Sequence, residues 1–126
     1  MHLTVLALTG VIMGSVTAFV GLPLITEISA WLGAYVLWVA YGVRFKLQRP
    51  LRTMAVAGTL SGLLAGSIQV IYIDEYRTNN SWYAEYFGGD SQNLATQFLG
   101  QGIVLGIFSG LLVGFITQTL IRRRAA

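Results

Sequence analysis

Long uncharged apolar stretches, separated by polar connections, dominate the pattern of this chain. They run over about residues 3–22, 25–43, 51–73 and 94–121. Each is close to the roughly 20 residues that a helix needs to cross a hydrocarbon core of about 30 Å. None has Asp, Glu, Lys or Arg in its middle, where a charge costs about 2.5–3.5 kcal/mol on insertion. Since period-two alternation is missing and the runs are too long for strands, they predict four transmembrane helices.

Composition agrees with a membrane location. Of the 126 residues, 55% are hydrophobic and 10% are charged, whereas a soluble domain carries about 25% charged residues. A chain this short could not bury so much apolar surface in water. We therefore expect one all-α transmembrane domain over residues 1–126, an antiparallel bundle of four helices. No Lys or Arg precedes the first stretch, so we expect it to be retained as a helix and not removed as a signal peptide.

Positive charge is concentrated in two segments. The connection 44–52 and the C-terminal tail hold seven of the eight Lys and Arg residues. The positive-inside rule places both in the cytoplasm, and an even number of spans then places the N-terminus there. The outer loop, about residues 74–93, is net negative. The expected topology anchors, which can also attract anionic headgroups, are Arg44, Lys46, Arg49, Arg52, Arg122, Arg123 and Arg124.

Aromatic side chains lie near the expected interfaces, where amphipathic rings are favoured. Around the outer loop they are Tyr72, Tyr76, Trp82, Tyr83, Tyr86 and Phe87. We expect part of residues 80–88 to form a short helix or turn that lies on the membrane. The second long helix is bulky, and its aromatic residues are the candidate face toward lipid or a partner protein: Trp31, Tyr35, Trp38 and Tyr41.

Small residues recur every four positions in the other three helices. Residues four apart share a helix face, and such faces let helices approach closely in lipid. This pattern predicts glycine-zipper packing, within the chain in preference to between chains. A second stripe in the third helix, from Ala57 to Gln69, makes that helix the expected centre. The predicted packing residues are Gly10, Gly14, Gly58, Gly62, Gly66, Gly102, Gly106, Gly110 and Gly114.

The third and fourth helices also share a similar segment. Residues 61–68 match residues 109–116 at six of eight positions. The match has two explanations, an ancient duplication or convergence on Gly/Leu packing, and we favour convergence. Because the two helices run in opposite directions, we expect these segments to meet near the middle of the membrane.

Three glutamines are the candidate polar contacts inside the membrane. Gln69 should lie at a depth similar to that of Gln97 and Gln101, so an interhelical amide hydrogen bond is expected. The alternative is a pore or path lined by these amides together with Ser61 and Thr59.

Residues that carry common catalytic chemistry are scarce. The chain has no cysteine, its single histidine is His2, and no predicted span has a carboxylate in its interior. No phosphate-binding Gly-Lys-Ser/Thr motif occurs. Asn79-Asn80-Ser81 forms a formal glycosylation sequon. We therefore expect no catalytic site, no cofactor, no metal site and no nucleic-acid partner.

Two classes of function fit these features. We expect a non-catalytic accessory or assembly subunit of a larger membrane complex. The alternative is a small oligomeric transporter, channel or lipid-translocating protein. The expected partners are membrane lipid and either other membrane subunits or further copies of this chain. The expected location is the bacterial inner (plasma) membrane, as a multi-pass protein.

Overall fold

The computed structural model describes residues 1–83 and 91–125, which are predominantly helical. The helices are α1 (His2–Phe19), α2 (Leu24–Arg44), α3 (Pro50–Ile71), α4 (Ile73–Asn79) and α5 (Ser91–Ala125). All except the short α4 are long and apolar enough to cross a membrane. The prediction of an all-α chain with four helices of membrane-spanning length is therefore confirmed.

Local chemistry explains several helix ends. Pro50 occupies the first turn of α3, where its missing N–H is not needed for an intrahelical bond. Just beyond α1, Gly21 takes a left-handed conformation with φ of 74°, a common way to end a helix. The backbone carbonyl of Asn79 packs against Gly21, so a side chain there would collide with it.

The outer connection holds a helix that was not predicted, α4 (Ile73–Asn79), which begins almost directly after α3. Residues 81–83 are also helical, which agrees with the prediction of a short helix or turn within 80–88. Most of that predicted segment lies in residues 84–90, outside the described part of the chain. α5 also extends beyond the predicted 94–121 at both ends.

The long helices are packed unequally. α3 makes its most extensive contacts with α5 and its next with α1, whereas α2 lies mainly against α5 and touches α1 lightly. At one end, the His2 ring contacts Tyr41 and Phe45, so the start of α1 lies beside the end of α2. Only 6% of the most apolar window of α2 is buried, against 39% for α1 and 33% for α3.

The backbones of α3 and α5 touch through glycines. A Cβ added at Gly58 would collide with the carbonyl of Gly106, and one added at Gly62 would collide with that of Gly102. Toward the other end, a Cβ on Gly114 would lie 2.7 Å from the Cα of Leu51. The order of these contacts shows that the two helices run in opposite directions.

The second stripe of α3 faces α1. A Cβ added at Gly10 would collide with Ser61, and one added at Gly14 would lie 2.8 Å from the Cα of Ala65. The buried Ser61 hydroxyl donates to the carbonyl of Ala7 at 3.3 Å. α3 therefore uses adjacent faces for different neighbours, its glycines for α5 and its Ala/Ser stripe for α1.

The two similar segments do not meet, contrary to the expectation. Gly62 contacts Gly102, whereas Gly110 contacts the backbone at Met54 and Ala55. Glycine meets glycine at two places in this register, Gly58 with Gly106 and Gly62 with Gly102. The register displaces the centres of the repeated segments by more than three helical turns, roughly 20 Å along the helix axis.

The aromatic face of α2 was predicted to face lipid or a partner, and for its central residue this is wrong. Trp38 is only 3% exposed and packs in a core with Leu6 and Met54. Its indole N–H donates to the Thr9 hydroxyl at 2.9 Å. A buried Trp needs such an acceptor, which lipid tails cannot supply. Trp31, Tyr35 and Tyr41 are partly buried.

The outward side of α2 is aliphatic. Its exposed residues include Ile25, Ile28, Leu32 and Val36, with exposed fractions between 51% and 79%. Aliphatic side chains have no polar group to satisfy and can therefore face lipid directly.

Two aromatic rings of the outer connection are buried within the fold. Tyr76 is 2% exposed and Tyr83 is 6% exposed, and both pack in a cluster with Ala18 and Phe98. Tyr72 remains 40% exposed. Tyr86 and Phe87 lie outside the described residues. The cluster holds the outer connection against the ends of α1 and α5.

The glycine contacts predict that the loss of stability on substitution depends on which glycine of α5 is replaced. Gly106→Leu should lower the thermal stability of the detergent-purified chain, because its side chain has no space at the carbonyl of Gly58. Overpacking of this kind costs about 1–3 kcal/mol, occasionally more. The matched control is Gly100→Leu in the same helix, where an added Cβ meets nothing within 4 Å. Equal melting temperatures for the two variants would show that the contact does not matter.

Candidate functional site

Two asparagines join α4 to the end of α1. Asn80 is fully buried, and its side-chain amide donates to the carbonyls of Thr17 at 2.6 Å and Tyr76 at 2.9 Å. Its side-chain oxygen accepts the backbone N–H of Leu22 at 3.1 Å. Asn79 donates to the carbonyl of Ala18 at 2.9 Å. These bonds satisfy carbonyls that the end of a helix leaves unpaired.

The same contacts fix the entry into α2. The Trp82 indole donates to the carbonyl of Leu22 at 2.9 Å, so both backbone polar groups of Leu22 are held by the outer connection. Pro23 follows and is the N-cap residue of α2. The first turn of α2 is therefore held at a defined position relative to α1 and α4. The sequon gains no support, since the Asn79 amide that glycosylation would modify is engaged with α1.

A cavity of about 490 Å³ lies between α2 and the α3–α5 pair. Its volume falls within the roughly 300–1,000 Å³ typical of ligand pockets, which are apolar with a few polar groups. The α3 wall includes Gly62 and Ala65, the α5 wall includes Gln101 and Leu105, and Trp82 lines the cavity from the outer connection. We call this space the outer cavity. It exists because α2 packs only lightly against its neighbours.

Glu27 lines the outer cavity from the first turn of α2. Its carboxylate is hydrogen-bonded to the side chain of Trp31, one turn further along the helix. Residues 27, 31 and 35 are four apart, so they share one helix face, and all three line the cavity.

Sequence reasoning missed this residue. Glu27 stands near the start of the apolar stretch 25–43, where the sequence pattern assigned it no role. A helix starting directly after Pro23 would have put the carboxylate one turn into α2, above Trp31 and Tyr35. That geometry was available from the proline, which commonly marks the first turn of a helix.

Aromatic rings surround much of the outer cavity. Along α2, the ring centroids of Trp31 and Tyr35 are 5.9 Å apart, and those of Tyr35 and Trp38 are also 5.9 Å apart. At the outer end, Tyr76 and Tyr83 are 5.6 Å apart, nearly perpendicular. All of these residues line the cavity.

The negative charge of Glu27 affects the pKa of both phenols at the outer end of the cavity, those of Tyr76 and Tyr83. Burial raises the pKa of Tyr76 well above its ordinary value, and the negative charge of Glu27 raises it further. Burial raises the pKa of Tyr83 as well, again with a smaller contribution from Glu27. Both phenols therefore stay protonated and neutral at physiological pH. Among the described residues that line this cavity, Glu27 is the one acidic residue.

A larger groove of about 1190 Å³ continues along α2 and α5 toward the opposite end of the chain. We call it the inner groove. It shares Leu32, Tyr35 and Ser109 with the outer cavity. The hydroxyls of Tyr35 and Ser109 are hydrogen-bonded to each other at this junction. The rest of the groove is mostly aliphatic, with Tyr41 and Phe45 near the end where Arg44 and Arg124 line it.

The predicted hydrogen bond between Gln69 and the glutamines of α5 is corrected, because Gln69 has a different hydrogen-bond partner. Its amide donates to the Thr17 hydroxyl of α1 at 2.9 Å, and no hydrogen bond within the described chain joins it to Gln97 or Gln101. α1 lies closer to this part of α3 than the sequence could show. For the path that was considered as an alternative, Gln69, Gln101 and Ser61 line the outer cavity, whereas Gln97 and Thr59 do not.

The basic residues gather at the end of the molecule opposite Glu27. Arg49, Arg52 and Arg122 line one shallow depression, while Arg44 and Arg124 meet at the end of the inner groove. All seven predicted anchors are exposed. No group of three or more His, Cys, Asp or Glu residues that could hold a metal ion occurs in residues 1–83 and 91–125.

No protein-family model matches the chain, and no curated protein or solved structure is significantly similar to it. A function must therefore be argued from the residues of the site themselves.

The asparagine junction predicts a stability effect. Asn80→Ala should destabilise the chain, because it leaves the Leu22 N–H and the Thr17 carbonyl without their hydrogen-bond partner. The Tyr76 carbonyl keeps the backbone N–H of residue 80. Each stranded buried group costs about 1–3 kcal/mol. The measurement is thermal unfolding in detergent, and the control is Ser81→Ala, a neighbouring exposed residue. A melting temperature for Asn80→Ala that equals that of the control would contradict this role.

Proposed function

We propose that this chain is a small membrane carrier, a non-enzymatic protein that binds an amphipathic molecule beside α2 and passes it along that helix. One observation carries the proposal: the outer cavity and the inner groove adjoin at Leu32, Tyr35 and Ser109 and together follow most of α2. Their largely apolar walls suit a molecule that enters from lipid. The polar groups are concentrated in the outer cavity, where they can orient one end of that molecule.

The loose packing of α2 supports movement along this route. α2 has little of its apolar window buried, and elements with few buried contacts open at low free energy. Tyr35 and Ser109 lie where the two spaces adjoin. A movement of α2 there would leave the glycine contacts of α3 with α5 intact.

We propose further that the chain crosses the membrane as an antiparallel four-helix bundle with both termini in the cytoplasm. The concentration of Arg and Lys at one end of the fold supports this orientation. Glu27 and the outer cavity then lie toward the outside. The glycine rows supply close packing within one chain, and a plasma membrane, the inner membrane in a bacterium, is the proposed location.

The second candidate is the accessory or assembly subunit. The observation that favours it is the exposed aliphatic side of α2, which includes Ile25 and Val36. In this alternative a helix of a larger complex covers that side, and the cavity is filled by lipid or by the partner. Both candidates are non-catalytic, and they differ in what accompanies the purified chain.

Purification in mild detergent followed by native mass spectrometry separates the two candidates. The carrier proposal expects the chain alone or as a homo-oligomer, with a bound small molecule. A stoichiometric larger protein partner would instead support the subunit.

A pair of adjacent substitutions tests the cavity itself. Leu105→Trp should displace the bound molecule, because Leu105 lines the outer cavity. Val104→Trp is the matched control, since Val104 is also exposed, at 51%, and lines neither space. The readout is the mass of the bound molecule in native spectra. Equal retention by the two variants would count against binding in this cavity.

The proposed orientation can be tested with single cysteines, because the chain has none of its own. In spheroplasts of a bacterial expression host, a membrane-impermeant maleimide should label Ser81→Cys and leave Gln48→Cys unlabelled until the membrane is permeabilised. Both positions are exposed in the fold. The reverse labelling pattern would invert the orientation and would place the outer cavity on the cytoplasmic side.

A further inference from the structure

We infer that the ligand of the outer cavity is an organic cation with an apolar body, and that Glu27 is its counter-ion. The inference rests on the proposed function, since it names the class of molecule that the cavity binds. Charge, aromatic walls and the shortage of metal ligands each support it.

Glu27 faces the cavity without a positively charged neighbour there. The residues lining the cavity include no Lys or Arg, and residues 84–90, which lie outside the described chain, contain none either. Arg77 of α4 is exposed and does not line the cavity. The other seven basic residues lie at positions 44–52 and 122–124, at the opposite end of the fold. A carboxylate in apolar surroundings is unfavourable unless it is paired, so a cation entering the cavity would compensate it.

The aromatic side chains that line the cavity suit a weakly hydrated cation. Trp31, Tyr35, Tyr76 and Trp82 line the cavity with Glu27, and aromatic faces attract cations within about 6 Å of the ring centroid. Tyr76 and Tyr83 remain neutral because burial and Glu27 raise the pKa of each phenol. Their rings therefore offer neutral faces and hydroxyl groups alongside the single charge of Glu27.

An inorganic cation fits poorly. Calcium takes about 6–8 oxygen ligands and magnesium keeps a near-octahedral shell, but Glu27 is the one carboxylate among the described residues that line the cavity. No metal-binding cluster is found within the described residues. A quaternary ammonium or phosphonium ion needs no such shell, since its charge is spread beneath apolar groups that can contact the rings.

Binding of two probes to the purified chain in detergent tests the inference. The probes are tetraphenylphosphonium, a cation with four phenyl groups on phosphorus, and triphenylphosphine oxide, a neutral molecule with three. Each is measured by equilibrium dialysis against protein-free micelles. We expect wild-type protein to bind the cation at least tenfold more tightly than the oxide. Equal affinities would overturn the inference about charge while leaving a binding cavity. Binding of neither probe would count against the proposed function as well.

A matched pair of variants tests whether the carboxylate of Glu27 is the counter-ion of the bound cation. Glu27→Gln should weaken tetraphenylphosphonium binding at least tenfold and leave triphenylphosphine oxide binding unchanged. Glu75→Gln removes the same charge from an exposed residue of α4 that does not line the cavity, and it should leave both affinities unchanged. If Glu27→Gln retains wild-type affinity for the cation, Glu27 is not the counter-ion. If that variant does not fold, the comparison of the two probes on wild-type protein still decides the question.

Discussion

Direct contact between helix backbones is the constraint on which this structure depends. α3 touches α5 at Gly58 and Gly62 and touches α1 at Ser61 and Ala65, so its neighbours approach without intervening side chains. In lipid there is little hydrophobic gain from bringing helices together, and close packing has to supply the attraction. A row of small residues on each of two faces therefore makes α3 the centre of a three-helix unit with α1 and α5.

The position of α2 follows from this arrangement. α3 has both of its small faces occupied, so α2 packs mainly against α5 through bulky aromatic residues. Bulky side chains keep helices apart, and the outer cavity and inner groove are the spaces that remain beside α2. At its outer end α2 is positioned by the connection from α1, whose polar groups are held by Asn79, Asn80 and Trp82. That connection places Glu27 at the cavity.

α2 exposes aliphatic side chains, as α1 and α5 also do, and it turns amphipathic side chains inward. Its aliphatic side is exposed, and its Trp and Tyr residues face inward, where Trp38 finds the hydroxyl of Thr9 and Tyr35 that of Ser109. In a bilayer the tails are as apolar as leucine, so burial is decided by hydrogen bonds and shape more than by hydrophobicity. Glu27 and the amphipathic rings carry polar groups that lipid tails cannot satisfy, and this explains why they lie beside one cavity.

The sequence alone determined the four apolar helices, the concentration of positive charge and the rows of small residues. These properties are local, because span length, charge and four-residue spacing are readable without knowing which helix is the neighbour. Which residues contact each other was decided only by the tertiary structure. Gln69 donates a hydrogen bond to Thr17 and not to the amides of α5, and Trp38 is buried. The repeated segments of α3 and α5 do not lie opposite each other. Each depends on the register between helices, which is set by the fit of whole surfaces. Glu27 shows the same limit, since a carboxylate at the end of a span becomes part of a site only when the fold leaves a cavity beside it.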